Sequence, residues 1–70
     1  MACIQWVYAN GSCWVALDRT AQSDIEALWS VNSSHWIRCP SVSKTAVYVD
    51  VEKMVMLCNG YSYTIARRST

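Results

Sequence analysis

Seventy residues give room for one small domain, 1–70, which excludes a two-domain enzyme. With 53% hydrophobic and 16% charged residues the chain has a globular composition, and six Lys/Arg against five Asp/Glu leave a net charge of +1. That is too weak a field to argue for non-specific nucleic-acid or membrane-surface binding. In chain order, Ile4–Tyr8 and Cys13–Leu17 are β-rich runs separated by Asn10-Gly11, whose tolerance of positive φ predicts a hairpin. Across Thr20–Val31 the period changes: Ile25, Leu28 and Trp29 form one helical stripe. Ser23 with Glu26 fits a capping box, Thr20 is an alternative cap, and Asn32 with the two serines after it ends the helix. His35–Cys39 reads as a short strand stopped by Pro40, Ser41–Lys44 as a polar loop and Thr45–Asp50 as a further strand. A tight turn at Val51–Lys53 leads into Met54–Cys58, and Asn59-Gly60 joins that run to Tyr61–Arg67 in a second hairpin. The expected fold is therefore α+β, with about six short strands in a strongly curved antiparallel sheet and one helix covering a face.

In a two-residue turn at Asn59-Gly60, Cys58 faces Tyr61, Met56 faces Tyr63 and Met54 faces Ile65, with all six side chains on one face. Sulfur–aromatic contact makes Met56 with Tyr63 a mildly favourable pair.

No apolar stretch approaches the roughly 18 residues of a membrane span. Met1-Ala2-Cys3-Ile4-Gln5-Trp6 lacks the basic start and long apolar run of a secretion signal, which predicts an intracellular protein. The four cysteines, Cys3, Cys13, Cys39 and Cys58, permit three disulfide connectivities, but in that setting reduced thiols are expected. Each then packs as a small hydrophobe.

Catalysis is not expected. In a strand His35 and Cys39 stand about 13 Å apart, too far for a base–nucleophile hydrogen bond. Gly11 and Gly60 are the only glycines, so no phosphate loop exists, and the five acids are dispersed. Glu26 fits helix capping or dipole complementation. No metal site is expected, because the widely separated cysteines lack the paired spacing of structural zinc ligands. The four Trp and four Tyr suit base stacking, yet in a domain this small aromatic rings in alternating strands are first of all its core. Arg38, Arg67 and Arg68 are too few to define a basic surface.

Trp6 on the first strand, Trp14 on the second and Glu26 in the helix make the arrangement after which the WWE domain is named. Trp6-x-Tyr8, Gly11-x-x-Trp14, Ile25-Glu26, Tyr48-Val49-Asp50-Val51-Glu52-Lys53-Met54 and Ile65-x-Arg67 follow in the family's order over nearly the whole chain. The sequence thus resembles a WWE domain. The resemblance implies a curved antiparallel half-barrel with one helix packed in its concave face. It also implies a non-catalytic recognition module without cofactor or metal, of the kind found in ubiquitin ligases, including Deltex, and in ADP-ribosyltransferases. Several such domains bind the iso-ADP-ribose unit of poly(ADP-ribose), terminal ADP-ribose or related adenine nucleotides in the mouth of the half-barrel.

The family's ligand positions map here onto Val7, Trp14, Val47, Met56 and Tyr63. Trp14 keeps its ring. Val7 and Val47 replace tyrosines, Met56 replaces a Gln and Tyr63 replaces an Arg. Met56 offers only a weak acceptor, and Tyr63 brings no charge to a phosphate. Losing one charge-assisted contact costs about 1.5–3 kcal/mol, so weak or absent binding of the usual ligand is expected. The expected function is protein interaction through a degenerate ADP-ribose pocket, in ubiquitination or ADP-ribosylation pathways of the nucleus or cytoplasm. One alternative has Trp14 stacking an adenine with Tyr63 and Tyr61 while Lys44, Lys53 or Arg38 meets phosphate. A second alternative is a small single-stranded nucleic-acid binder.

Overall fold

A computed structural model describes residues 3–69; Met1, Ala2 and Thr70, the ends of the expected 1–70 domain, lie outside the described residues. The chain folds into six strands, β1 (Ile4–Asn10), β2 (Cys13–Ala16), β3 (Ser34–Ile37), β4 (Val47–Asp50), β5 (Val55–Cys58) and β6 (Tyr61–Ser69), and one helix, α1 (Arg19–Val31). They form one open antiparallel sheet in the order β2-β1-β6-β5-β4-β3, with β6 bridging the two hairpin regions. The α+β class and the antiparallel strands agree with the sequence reading. Among the described residues no helix is long and apolar enough to cross a membrane.

The turns follow from backbone chemistry. Asn59 and Gly60 both take positive φ, 50° and 81°, which suits the right-handed twist of β5 and β6. Cys58 accordingly faces Tyr61 and Met56 faces Tyr63. The first turn falls one residue later than expected: Asn10 pairs with Cys13, and Gly11, at φ 66°, leads a two-residue turn with Ser12. Met54 does not extend β5. Asp50 Oδ1 accepts the amides of Glu52 and Lys53, and the chain leaves that turn through Met54 at φ 57°. Ile65 N–H still reaches Met54 C=O at 3.0 Å. β3 is also displaced, starting at Ser34 and ending at Ile37, so that Cys39 turns into the core ahead of Pro40.

The helix start differs from the capping-box expectation. The N-cap is Asp18, with Ser23 and Thr20 inside the helix, and no side chain caps the first turn. The Asp18 carboxylate instead accepts the Cys39 thiol at 3.2 Å and the Ser41 amide at 3.1 Å, fastening the helix entry to the segment after β3. At the other end Asn32 adopts the left-handed conformation, and Ser33 N–H closes on Leu28 C=O.

The helix covers one sheet face. Ala21 and Ile25 meet Trp6, Ile37, Val47, Val49, Val51, Met56, Cys58 and Ile65 in a single core. Alternation along β4 explains this set, since Val47 and Val49 point inward while Tyr48 and Asp50 point out. Of the four tryptophans only Trp6 is buried; Trp14, Trp29 and Trp36 are exposed, so the expectation that the rings chiefly build the core holds for one of them. Likewise Cys39 and Cys58 are buried, whereas Cys3 and Cys13 are exposed and do not pack as core hydrophobes.

Candidate functional site

The helix is joined to β1 and β6 by polar groups around Trp6. Gln22 Oε1 accepts the Trp6 amide, and Gln22 Nε2 donates to the carbonyls of Trp6, at 2.7 Å, and Leu17, at 3.0 Å. The carboxamide thus serves main-chain groups at the point where β2 ends and the chain enters α1. One helical turn on, Glu26 Oε1 accepts the Trp6 indole N–H at 2.9 Å. Arg67, across from Trp6 in the β1–β6 register, completes the set with two bonds to Glu26: Nε to Oε1 at 3.0 Å and Nη2 to Oε2 at 2.7 Å. Trp29 packs its ring against Trp6, with centroids 5.7 Å apart, and lies under the Arg67 guanidinium.

Glu26 is therefore neither a cap nor a dipole partner, as the sequence suggested, but the joint between strand and helix. The Arg67 hydrogen bonds, and secondly the Trp6 indole, hold its carboxyl at about 2, against an ordinary 4.5. Gln22 and Arg67 are the residues that sequence reasoning assigned no such role. The signal for Arg67 lay in its opposition to Trp6, which follows only once β1 is paired with β6. Nothing in the local pattern marks Gln22.

The five expected ligand positions do not converge. The ladder sets Val49 opposite Met56 and Met56 opposite Tyr63, on the face that carries the helix. Val47 shares that face. Trp14 pairs with Ala9 and Val7 pairs with Ala16 and Ala66, which puts both on the opposite face, since the neighbouring Trp6 and Tyr8 point toward the helix. Val47 and Met56 have no exposed surface and Val7 has 1%. Tyr63 is half-buried and sets its ring edge-on to Tyr8, with centroids 5.7 Å apart. Of the five, Trp14, at 49%, is the exposed one, on β2 at a sheet edge.

Two open grooves flank the helix instead. One, of about 230 Å³, is lined by Ile4, Trp6, Gln22, Ser23 and Glu26. The other, of about 260 Å³, is lined by Asp24, Ala27, Leu28, His35, Trp36 and Ile37. None of the five expected residues lines either groove. Both are smaller than the roughly 300–1,000 Å³ of small-molecule sites.

His35 and Cys39 serve different neighbours. His35 Nδ1 accepts the Trp36 amide at 2.8 Å. Burial, reinforced by the adjacent Asp18 carboxylate, pushes the Cys39 thiol up. Among the described residues no group of three or more His, Cys, Asp or Glu side chains is gathered to hold a metal ion.

Comparison with known proteins adds no relative: no family model, no curated protein and no solved structure matches the chain.

Proposed function

We propose that this chain is a non-catalytic recognition module of the WWE type, engaging a protein partner in a ubiquitination or ADP-ribosylation pathway, with a degenerate ADP-ribose pocket. In this reading the six-stranded sheet is the family's curved half-barrel, the helix lies in its concave face, and the protein works in the nucleus or cytoplasm. The Trp6–Glu26 hydrogen bond supports the family assignment, because two of the three name-giving residues then form one structural joint.

The observation that carries the degenerate pocket is the complete burial of Met56 and Val47. The positions where the family presents a Gln and a Tyr to its ligand are apolar side chains consumed by the core. Tyr63, in place of an Arg, turns its ring to Tyr8 and brings no cation for a pyrophosphate.

Titration with iso-ADP-ribose, ADP-ribose and ATP, followed by Trp fluorescence and amide shifts, tests this reading. No saturable change is expected at millimolar ligand. Saturable shifts around Trp14 or around Tyr63, which lie on opposite faces of the sheet, would replace it with a nucleotide-binding reading. A salt-sensitive response to single-stranded RNA alone would replace it with the nucleic-acid one.

A further inference from the structure

β3 is a sheet edge, paired with β4 alone. The Trp36 N–H, given to the His35 ring, is turned away from β4. Along an antiparallel strand the N–H and C=O of a residue share a direction, and that direction alternates. Ser34 and Trp36 therefore present their main-chain groups to the outside, while His35 and Ile37 face β4. The edge-on contact of Trp36 with Tyr48, centroids 5.2 Å apart, matches the close approach of side chains in a pair that exchanges no main-chain hydrogen bonds.

The second groove runs between this edge and α1. Ala27, Leu28 and Ile37 supply its apolar lining, and Asp24 and His35 are its titratable groups. Asp24 is exposed and makes no ion pair among the described residues. A groove walled by a helix and floored by a free strand edge suits an added strand, with main-chain bonds giving affinity and side-chain pockets giving selectivity. Asp24 sets the sign of the charge that such a strand must carry.

We propose that β3 captures an extended segment of a partner protein bearing Lys or Arg. Its backbone pairs with Ser34 and Trp36, displacing the His35 ring from the Trp36 amide. One apolar side chain seats against Ala27, Leu28 and Ile37, and one cation meets Asp24. This deepens the protein-recognition reading and rests on it, by naming the surface and the chemistry of the partner.

The test is an amide-shift titration of the whole chain with the capped peptide Lys-Val-Thr-Val-Lys, its counterpart Glu-Val-Thr-Val-Glu, and two forms of the first peptide N-methylated on alternate amides. Saturable shifts are expected at Ser34, His35, Trp36 and Ile37 and at Asp24, Ala27 and Leu28 with the Lys peptide, and weaker binding of the Glu peptide. One N-methylated form should lose binding and the other keep it, because only alternate amides face the edge. Asp24→Asn should weaken the Lys peptide by roughly two- to fivefold. Absence of saturable shifts at millimolar peptide, shifts confined to other surfaces, equal binding of the acidic peptide, or indifference to both methylation patterns would each overturn the proposal. Failure of the broader reading is separately visible, as ADP-ribose shifts around Tyr63.

Discussion

The indole N–H of Trp6 and the carboxylate of Glu26, 20 positions apart, meet at 2.9 Å on the boundary between strand and helix. Because Trp6 is 1% exposed, its N–H depends on this carboxylate for an acceptor in the folded chain. Glu26→Ala should therefore cost about 1–3 kcal/mol, the range for a buried donor left unpaired. Glu26→Gln retains an acceptor and should cost less. Urea unfolding of both variants measures the difference, and equal losses would show that the indole bond contributes nothing.

The same carboxylate predicts an acid response. Its folded value of about 2 lies below the ordinary 4.5, so its contribution is fully present above about pH 4.5 and lost as pH falls toward 2. Thermal midpoints between pH 5 and pH 2 should fall more steeply for the native chain than for Glu26→Gln. Parallel curves would refute the assignment. Salt should flatten the native curve, since Glu26 and Arg67 remain partly open to water.

The two family tryptophans should differ in what they hold together. Trp6→Ala removes a fully buried ring and should cost about 3–5 kcal/mol, enough to unfold a domain of this size. Trp14 is half exposed on the edge strand β2, and Trp14→Ala should leave a folded protein with at most a modest drop in midpoint. Circular dichroism melts compare them directly, and a Trp14→Ala chain unfolded at room temperature would contradict the placement of that ring.

Thiol reactivity should divide by burial. In a Cys3→Ser background Cys13 should react rapidly with a maleimide, while Cys39 and Cys58 stay protected until urea is added. Burial and the neighbouring Asp18 carboxylate both keep Cys39 in its unreactive thiol form. Asp18→Ala removes the acceptor shared by Cys39 and the Ser41 amide, and should hasten Cys39 labelling through a loosened segment after β3. Mass spectrometry of the labelled peptides reads this out.

Gln22→Ala should expose the junction of β1, β2 and α1. It strips partners from the Trp6 amide and from the Trp6 and Leu17 carbonyls. Hydrogen exchange at the Trp6 amide should accelerate well beyond that at Val49, which lies on β4 between β3 and β5. Equal protection at the two amides would remove Gln22 from this role.

Hairpins and helix were legible in the sequence because Asn59-Gly60, Gly11 and the Ile25–Leu28–Trp29 stripe act over a few residues. The Met56–Tyr63 register followed from turn length alone. What escaped depends on contacts across the chain. Asp18 carries no local mark, because its partners, Cys39 and Ser41, arrive only after β3. Arg67 gains meaning once β6 lies beside β1. The expected ligand set failed to gather for a similar reason. Composition does not reveal that Trp14 and Tyr63 take opposite faces, whereas the unbroken pairing through β1 and β6 fixes it.

That pairing also sets Ile4 opposite Ser69. Entry and exit of the described chain are thus neighbours on adjacent strands, separated by roughly one inter-strand spacing of 5 Å. A host protein can carry this unit as a graft within a surface loop without prising its own fold apart. For the same reason a circular permutant, opened at Asn59-Gly60 and sealed through a short flexible bridge between the present ends, should keep every rung of the ladder except those nearest the cut.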